Sequence, residues 1–178
     1  MKEIDPDQSC DPASGNLLQD LPTRVLLILV AVIAAADQLT KVLANTNLEY
    51  GVNVPVFPGF DLLLAFNRGA AFSFLNDASG WQRWLLSGIS LSVSVFLLVW
   101  LVQLPRKQRL LRVALAVILG GAIGNLYDRM MYGYVVDFIS VYYQQWRFAT
   151  FNIADAAISI GAVLLGWDVL TSQSDKAV

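Results

Sequence analysis

The stretch VALAVILGGAIGNLYDRMM, from Val113 to Met131, largely decides the fold. This mostly apolar stretch approaches the length of about 20 residues that a helix needs to cross a membrane. The last part of this stretch nevertheless carries Asn125, Asp128 and Arg129. Ionisable side chains inside a membrane are costly and are usually retained for function. The stretch therefore predicts a transmembrane helix with polar residues near its C-terminal end.

Three other segments have the same apolar character, and they are Arg24–Ala44, Trp84–Leu104 and Asn152–Leu170. The chain has 178 residues, of which 56% are hydrophobic and only 15% are charged. Such a composition is typical of a membrane protein and not of a soluble domain. We therefore expect an α-helical membrane protein with four transmembrane helices.

The two ends of the chain differ from this membrane domain in composition. Residues 1–22 are acidic and rich in turn-forming residues, so we expect a disordered tail there. Residues 23–172 should form the membrane domain, followed by a C-terminal tail at 173–178. The chain has no histidine and one cysteine, Cys10, which excludes an internal disulfide and a zinc cluster. We expect no metal, no cofactor and no nucleic-acid partner.

The basic residues between the second and third spans predict the orientation. Arg106, Lys107, Arg109 and Arg112 lie close together in this loop. By the positive-inside rule, such a loop faces the cytoplasm. Both termini should then be cytoplasmic, and the segments 45–83 and 132–150 should lie outside.

The first outer segment has the pattern of a small sheet. Valines alternate with other residues from Val52 to Val56, and Asp61–Phe66 is a second candidate strand. The sequence Asn67-Arg68-Gly69 favours a turn, because asparagine and glycine tolerate positive φ. Ala70–Leu75 should be a further strand or a short helix. We expect this sheet to rest on the outer face of the four helices, with Asp137 in an outer loop.

The polar residues of the spans share one depth in this topology. Asp37 and Lys41 fall in the outer half of the first helix, and Asp137 follows the third helix by a few residues. Asn152 is a plausible N-cap of the fourth helix, with Asp155 in its first turn. Asp37 and Lys41 lie one helical turn apart and should share a face. A single polar site near the outer interface explains this common depth.

Paired carboxylates suit hydrolysis by acid–base catalysis. Two nearby aspartates tend to share one proton, so that one accepts a proton from water while the other donates. Each residue also has a structural interpretation, since Asp37–Lys41 and Asp128–Arg129 could be structural, and Asp155 an ordinary helix-start aspartate. A transporter or proton-relay subunit would also use charges inside the membrane. A structural or assembly factor is a third possibility, although it would not need paired carboxylates.

Five motifs distinguish these alternatives, and they stand in order along the spans. They are AADQLTK (35–41), NRGAAFSF (67–74), GGAIGNLYDR (120–129), VVDF (135–138) and FNIAD (151–155). Together they resemble the motifs of bacterial lipoprotein signal peptidase, also called signal peptidase II. The resemblance covers about residues 24–170, and the set is far more specific than any one motif. The tail at 1–22 has no counterpart in the family's core, and Arg68 fills a variable position of its motif.

The resemblance implies an aspartic endopeptidase of the bacterial inner membrane. The family cuts prolipoproteins just before a diacylglyceryl-modified cysteine, near the periplasmic face. Its fold is four helices with a periplasmic cradle of strands and a short interfacial helix. Membrane phospholipid and the cyclic peptide antibiotic globomycin are expected ligands, and we expect a monomer. By the match of motifs, the catalytic pair is Asp137 and Asp155, and residues that support the site or bind substrate are Asp37, Lys41, Asn67, Gly69, Asn125, Asp128, Arg129 and Asn152.

Overall fold

The computed structural model describes residues 21–69 and 81–174. Within these ranges the chain forms four helices and one four-stranded sheet. In chain order the elements are α1 (Thr23–Asn47), β1 (Asn53–Phe57), β2 (Phe60–Asn67), α2 (Trp81–Gln103), α3 (Arg109–Met131), β3 (Val135–Tyr143), β4 (Trp146–Arg147) and α4 (Ile153–Ser174). The strand or short helix expected over Ala70–Leu75 lies outside the described residues.

All four helices are long and apolar enough to cross a membrane, which confirms the predicted fold class. The helix ends differ from the predicted ones by a few residues, and α4 runs to Ser174. Helix α3 is central in the bundle. In its most apolar 18-residue stretch 56% is buried, against 22% in the corresponding stretches of α1 and α2 and 17% in that of α4. The other helices therefore expose most of their apolar surface, as expected of helices that face lipid.

The start of α3 corrects the predicted extent of the basic loop. Arg109 and Arg112 belong to the helix, which begins one turn earlier than expected. The guanidinium of Arg112 is buried and donates from Nη1 to the carbonyl of Leu21 and from Nη2 to Oγ1 of Thr23, each at 2.8 Å. These bonds satisfy a cation that would otherwise be costly to bury. Arg112 therefore ties the beginning of α1 to α3 at this end of the bundle.

The sheet is antiparallel throughout, with the strand order β1-β2-β3-β4. It covers the end of the bundle at which α1 and α3 finish and α2 and α4 begin, and we call this the sheet end. Ala44 of α1 packs there with Leu64 of β2 and with Val136 and Phe138 of β3. The sheet is thereby fixed to the helices by a small apolar core.

Strand β3 is the main departure from the expected architecture. Asp137 was expected in an outer loop, and this expectation is wrong, because the residue lies in β3 opposite Ala65 of β2. The segment that precedes α4 joins the same region, since Ile139 and Phe151 exchange backbone hydrogen bonds of 2.8 and 3.0 Å. The start of α4 is therefore held close to Asp137 by backbone pairing.

Candidate active site

The ammonium of Lys41 is the centre of a buried ionic cluster at the sheet end. It lies 2.7 Å from Oδ2 of Asp37, 2.9 Å from Oδ2 of Asp128, and donates to Oδ1 of Asn125 at 2.9 Å. All three of its N–H donors are thereby occupied. The relative exposure of Lys41, Asp37 and Asp128 is 3%, 0% and 1%. The expected contact between Asp37 and Lys41 is confirmed, and Asp128 joins it from α3.

The two carboxylates of this cluster also hold the backbone beside the other two aspartates. Oδ1 of Asp37 accepts from the amide of Ala154 at 2.8 Å, and Ala154 immediately precedes Asp155. Oδ2 of Asp128 accepts from the amide of Val136 at 3.1 Å, and Val136 immediately precedes Asp137. Lys41 therefore contacts both carboxylates that hold this backbone: Asp37 beside Asp155, and Asp128 beside Asp137.

Asn152 and Asp155 form a reciprocal capping box at the start of α4. Oδ1 of Asn152 accepts from the amide of Asp155 at 2.9 Å, and Oδ2 of Asp155 accepts from the amide of Asn152 at 3.2 Å. This arrangement satisfies amide groups that a helix N-terminus leaves without a partner. It confirms the predicted N-cap and fixes the side-chain orientation of Asp155.

Two asparagines bridge Asp137 and Asp155. Nδ2 of Asn152 donates to Oδ1 of Asp137 at 2.7 Å, and Nδ2 of Asn125 donates to Oδ1 of Asp155 at 2.7 Å. The asparagines also bond to each other, from Nδ2 of Asn152 to Oδ1 of Asn125 at 3.2 Å. One network therefore connects both carboxyl groups with Lys41, which also bonds to Asn125.

The two carboxyl groups have different surroundings. Asp137 is 1% exposed, whereas Asp155 is partly exposed. Burial raises the pKa of Asp137 to about 6, and the negative charge of Asp155 adds to this effect. Hydrogen bonds from Asn67 and Asn152 and the charge of Lys41 oppose the rise in pKa without cancelling it. Asp137 therefore keeps its proton to a higher pH than an ordinary aspartate does.

The turn after β2 brings Asn67 to this network. Oδ1 of Asn67 accepts from the amide of Gly69 at 2.9 Å, while Gly69 has φ of +105°. A residue with a side chain would be strained at such a φ, so glycine suits this position. The predicted turn is confirmed, and Arg68 within it is exposed. Asn67 thus adds a hydrogen bond to Asp137 beside the one that Asn152 donates.

Arg129 supplies positive charge near the two aspartates. Its guanidinium interacts electrostatically with Asp155 and Asp137, and it donates to the carbonyl of Asn125 at 3.4 Å. Among residues 21–69 and 81–174 it forms no direct ion pair. Its partly exposed donors are therefore available to a bound molecule.

Sequence reasoning missed two residues that support this region. Arg83 of α2 donates from Nε to the carbonyl of Arg129 at 3.0 Å and from Nη2 to that of Met130. A cation is favourable at a helix C-terminus, so Arg83 stabilises the end of α3. Gln38 lies inside the AADQLTK motif and contacts Asp128. The position of Gln38 next to Asp37 in the sequence could have indicated a role in the site. Helical spacing alone, however, does not predict its hydrogen bond to Asp128.

An apolar groove reaches Asp155 from the side of α4. It has a volume of about 640 Å³ and lies between β3, the segment before α4 and α4 itself. Val141, Phe148, Phe151 and Ile160 are among its apolar lining residues. A groove of this kind suits an extended apolar ligand whose polar end lies at Asp155.

Comparisons with known proteins give a consistent result. The profile of the family described as "Signal peptidase (SPase) II" matches residues 29–171. A protein of Ectopseudomonas mendocina named "Lipoprotein signal peptidase" is 52% identical over 85% of this chain and 89% of its own length. One of the same name from Pseudomonas aeruginosa is 49% identical over 86% of this chain and 90% of its own length. A solved structure described as a bacterial membrane enzyme superimposes with a TM-score of 0.78 at 27% identity, covering 89% of this chain and 94% of that one.

Proposed function

The chain belongs to the signal peptidase II family, and from that premise we propose that it removes signal peptides from prolipoproteins. Asp137 and Asp155 are the proposed catalytic pair. The observation that carries this assignment is the asparagine bridge, in which Asn152 and Asn125 each donate to one of the two carboxyl groups at 2.7 Å. Asp37 and Asp128, in contrast, are both paired with the ammonium of Lys41 and bonded to backbone amides. Family membership does not support the transporter alternative.

The surroundings of the two carboxyl groups suggest their roles. Asp137, whose pKa is raised to about 6, is the proposed general acid, and Asp155 is the proposed general base. As a water molecule attacks the peptide carbonyl carbon, Asp155 takes a proton from the water and Asp137 donates one to the carbonyl oxygen. Asp155 then protonates the departing nitrogen, the C–N bond breaks, and Asp137 regains its proton from a hydroxyl of the intermediate. Both residues return to their starting states, and no covalent intermediate is required.

Substrate recognition is proposed to use the positive charge and the apolar groove. Arg129 has donors available for a peptide carbonyl oxygen, and it lies close to both aspartates. The groove beside Asp155 is of a size and polarity that suit the acyl chains of a diacylglyceryl cysteine or of a membrane phospholipid. Globomycin-type cyclic peptides should compete for the same space. Since all the proposed residues come from one chain, we propose that a monomer is active.

A cleavage assay with two forms of one prolipoprotein tests this function. The purified enzyme should cut the diacylglyceryl-modified form at least about 10-fold faster than the unmodified form, because burial of acyl chains stabilises the complex. Globomycin should block both reactions. Equal rates on the two forms would argue against lipid recognition, and absence of cleavage of either form would contradict the proposed activity.

The site is proposed to face the periplasm, with both chain termini in the cytoplasm. Support comes from the basic residues at the end of the bundle opposite the sheet. The single cysteine, Cys10, should not react in intact spheroplasts with a thiol reagent that does not cross the membrane. A cysteine placed at the exposed Gln145, in a Cys10→Ser background, should react readily. The reverse labelling pattern would show that the proposed orientation is wrong.

A further inference from the structure

Gln38 projects from α1 into the ionic cluster, and we propose that it is a positioning residue for the reaction. Its amide nitrogen faces three oxygens, at 2.9 Å from Oδ1 of Asp128, 3.1 Å from the carbonyl of Gly124 and 3.3 Å from Oδ2 of Asp37. All three are acceptors, so this site requires a donor. The proposal rests on the catalytic pair assigned above, because Gln38 acts on Asp137 through Asp128.

The charges of the cluster explain why a neutral donor is needed. Among the residues that the structure describes, Lys41 supplies the one ammonium in contact with the two buried carboxylates, and Asn125 uses its remaining donor. Oδ1 of Asp128 is therefore left without a bond from Lys41, and Gln38 supplies it. A buried carboxylate oxygen without a donor would be costly. Gln38 thus fixes the orientation of Asp128 without adding another charge.

A short chain of bonds connects Gln38 with the proposed general acid. Gln38 donates to one oxygen of Asp128, and the other oxygen accepts from the amide of Val136 at 3.1 Å. Val136 precedes Asp137, and its carbonyl accepts from Nδ2 of Asn152 at 3.3 Å, the same nitrogen that donates to Asp137. If Asp128 rotates, the backbone at Val136 loses its support. Misplacement of a catalytic group by about 1 Å can cost about 100-fold in rate.

The close approach of α1 and α3 makes this contact possible. A Cβ atom at Gly124 would lie 2.5 Å from Oδ2 of Asp37, so a larger residue would separate the helices. Gln38 lines a recess of about 120 Å³ together with Tyr132 and Tyr134. The groove beside Asp155 is lined by different residues. Gln38 therefore has no part in the proposed substrate groove. A change at this position should lower kcat and leave KM nearly unchanged.

The substitution Gln38→Glu tests the need for a donor, because it replaces the amide with a carboxyl of nearly the same shape. At about pH 8 the ionised carboxyl would face two carboxylates, and kcat should fall about 100-fold relative to the parent protein. At about pH 5 the protonated carboxyl can donate as the amide does, and kcat should recover to within about 5-fold of the parent at that pH. The ionisable groups that face this position are Asp37, Lys41, Asp128, Tyr132 and Tyr134. Since all five are present in both proteins, the ratio of rates isolates the introduced carboxyl.

Two control variants separate positioning from packing. Gln38→Met has a similar size and no donor, so its kcat should be low at both pH values. Thr40→Val removes a hydroxyl that bonds at 2.9 Å to the backbone carbonyls of Ala36 and Asp37 in its own helix, and it should behave as the parent does. A Gln38→Glu ratio that does not change with pH, or full kcat in Gln38→Met, would overturn the proposal. Full cleavage by Asp137→Asn would instead overturn the catalytic pair, so the two failures can be distinguished.

Discussion

The Asp137→Asn protein should fold, bind substrate and fail to cleave it. The amide cannot act as a general acid, so we expect kcat to fall about 1,000-fold. Its carbonyl oxygen can still accept the bond that Nδ2 of Asn152 makes to Oδ1 of Asp137 at 2.7 Å, so the geometry should persist. Asp155→Asn should lose a similar factor, because the proposed general base is removed. Cleavage of a diacylglyceryl-modified prolipoprotein under single-turnover conditions gives both values.

The same substitution should also make the protein more stable at neutral pH. The folded-state pKa of Asp137 is raised from 3.8 to about 6, so the wild-type protein loses stability as pH rises between these values. The full loss, about 3 kcal/mol, then persists above about pH 7. The amide of Asp137→Asn does not titrate, so the variant does not lose this stability. Its thermal stability should therefore exceed that of the wild-type protein most at alkaline pH, and the difference should vanish near about pH 4.

Asp168→Asn is a matched control, since it changes a carboxyl to an amide at the opposite end of α4. It should retain full activity. An Asp137→Asn protein that is inactive and also unstable at every pH would indicate a structural role for Asp137. One that cleaves at the wild-type rate would show that Asp137 is not the general acid.

The Lys41→Met protein should lose both stability and activity. Lys41 contacts Asp37 at 2.7 Å and Asp128 at 2.9 Å, and both carboxylates are buried. Removal of one partner from a buried ion pair costs about 3–5 kcal/mol, because the remaining charge is left uncompensated. Activity should fall as well, since Asp37 and Asp128 hold the backbone next to the proposed catalytic residues. Thermal unfolding in detergent and the cleavage assay measure the two effects.

A combined variant tests this explanation. In the Lys41→Met background, Asp37→Asn and Asp128→Asn together remove the uncompensated charges and should restore most of the lost stability. Lys107→Met, in the exposed loop between α2 and α3, is the matched control and should change little. If Lys41→Met is as stable as the parent protein, the cluster does not stabilise the fold as described.

Local spacing predicted those parts of the site that lie within one helix. The contact of Asp37 with Lys41 follows from residues one turn apart, and the capping box of Asn152 and Asp155 follows from cap preferences. The pairing of Asp137 with Ala65 could not be predicted in the same way. It depends on contact between two segments that are distant in sequence.

The sequence pattern did not predict the contacts between helices either. Lys41 could be paired with Asp37 from spacing, but its second carboxylate, on Asp128, comes from α3. Arg83 reaches the end of α3 from α2, and no periodicity connects these positions. The motif resemblance grouped several of these residues without giving the bonds between them.

Sequence by itself determined that this chain has four apolar helices, with polar residues gathered near one end of the bundle. Hydrophobicity and helical spacing are local properties, so they can be read along the chain. Tertiary structure decided which aspartates are paired with Lys41 and which are joined by Asn125 and Asn152. The reason is that a buried carboxyl group acquires its properties from donors and charges on other segments. The four aspartates of the site have the same side chain, and only their neighbours in the fold distinguish them. They are Asp37, Asp128, Asp137 and Asp155.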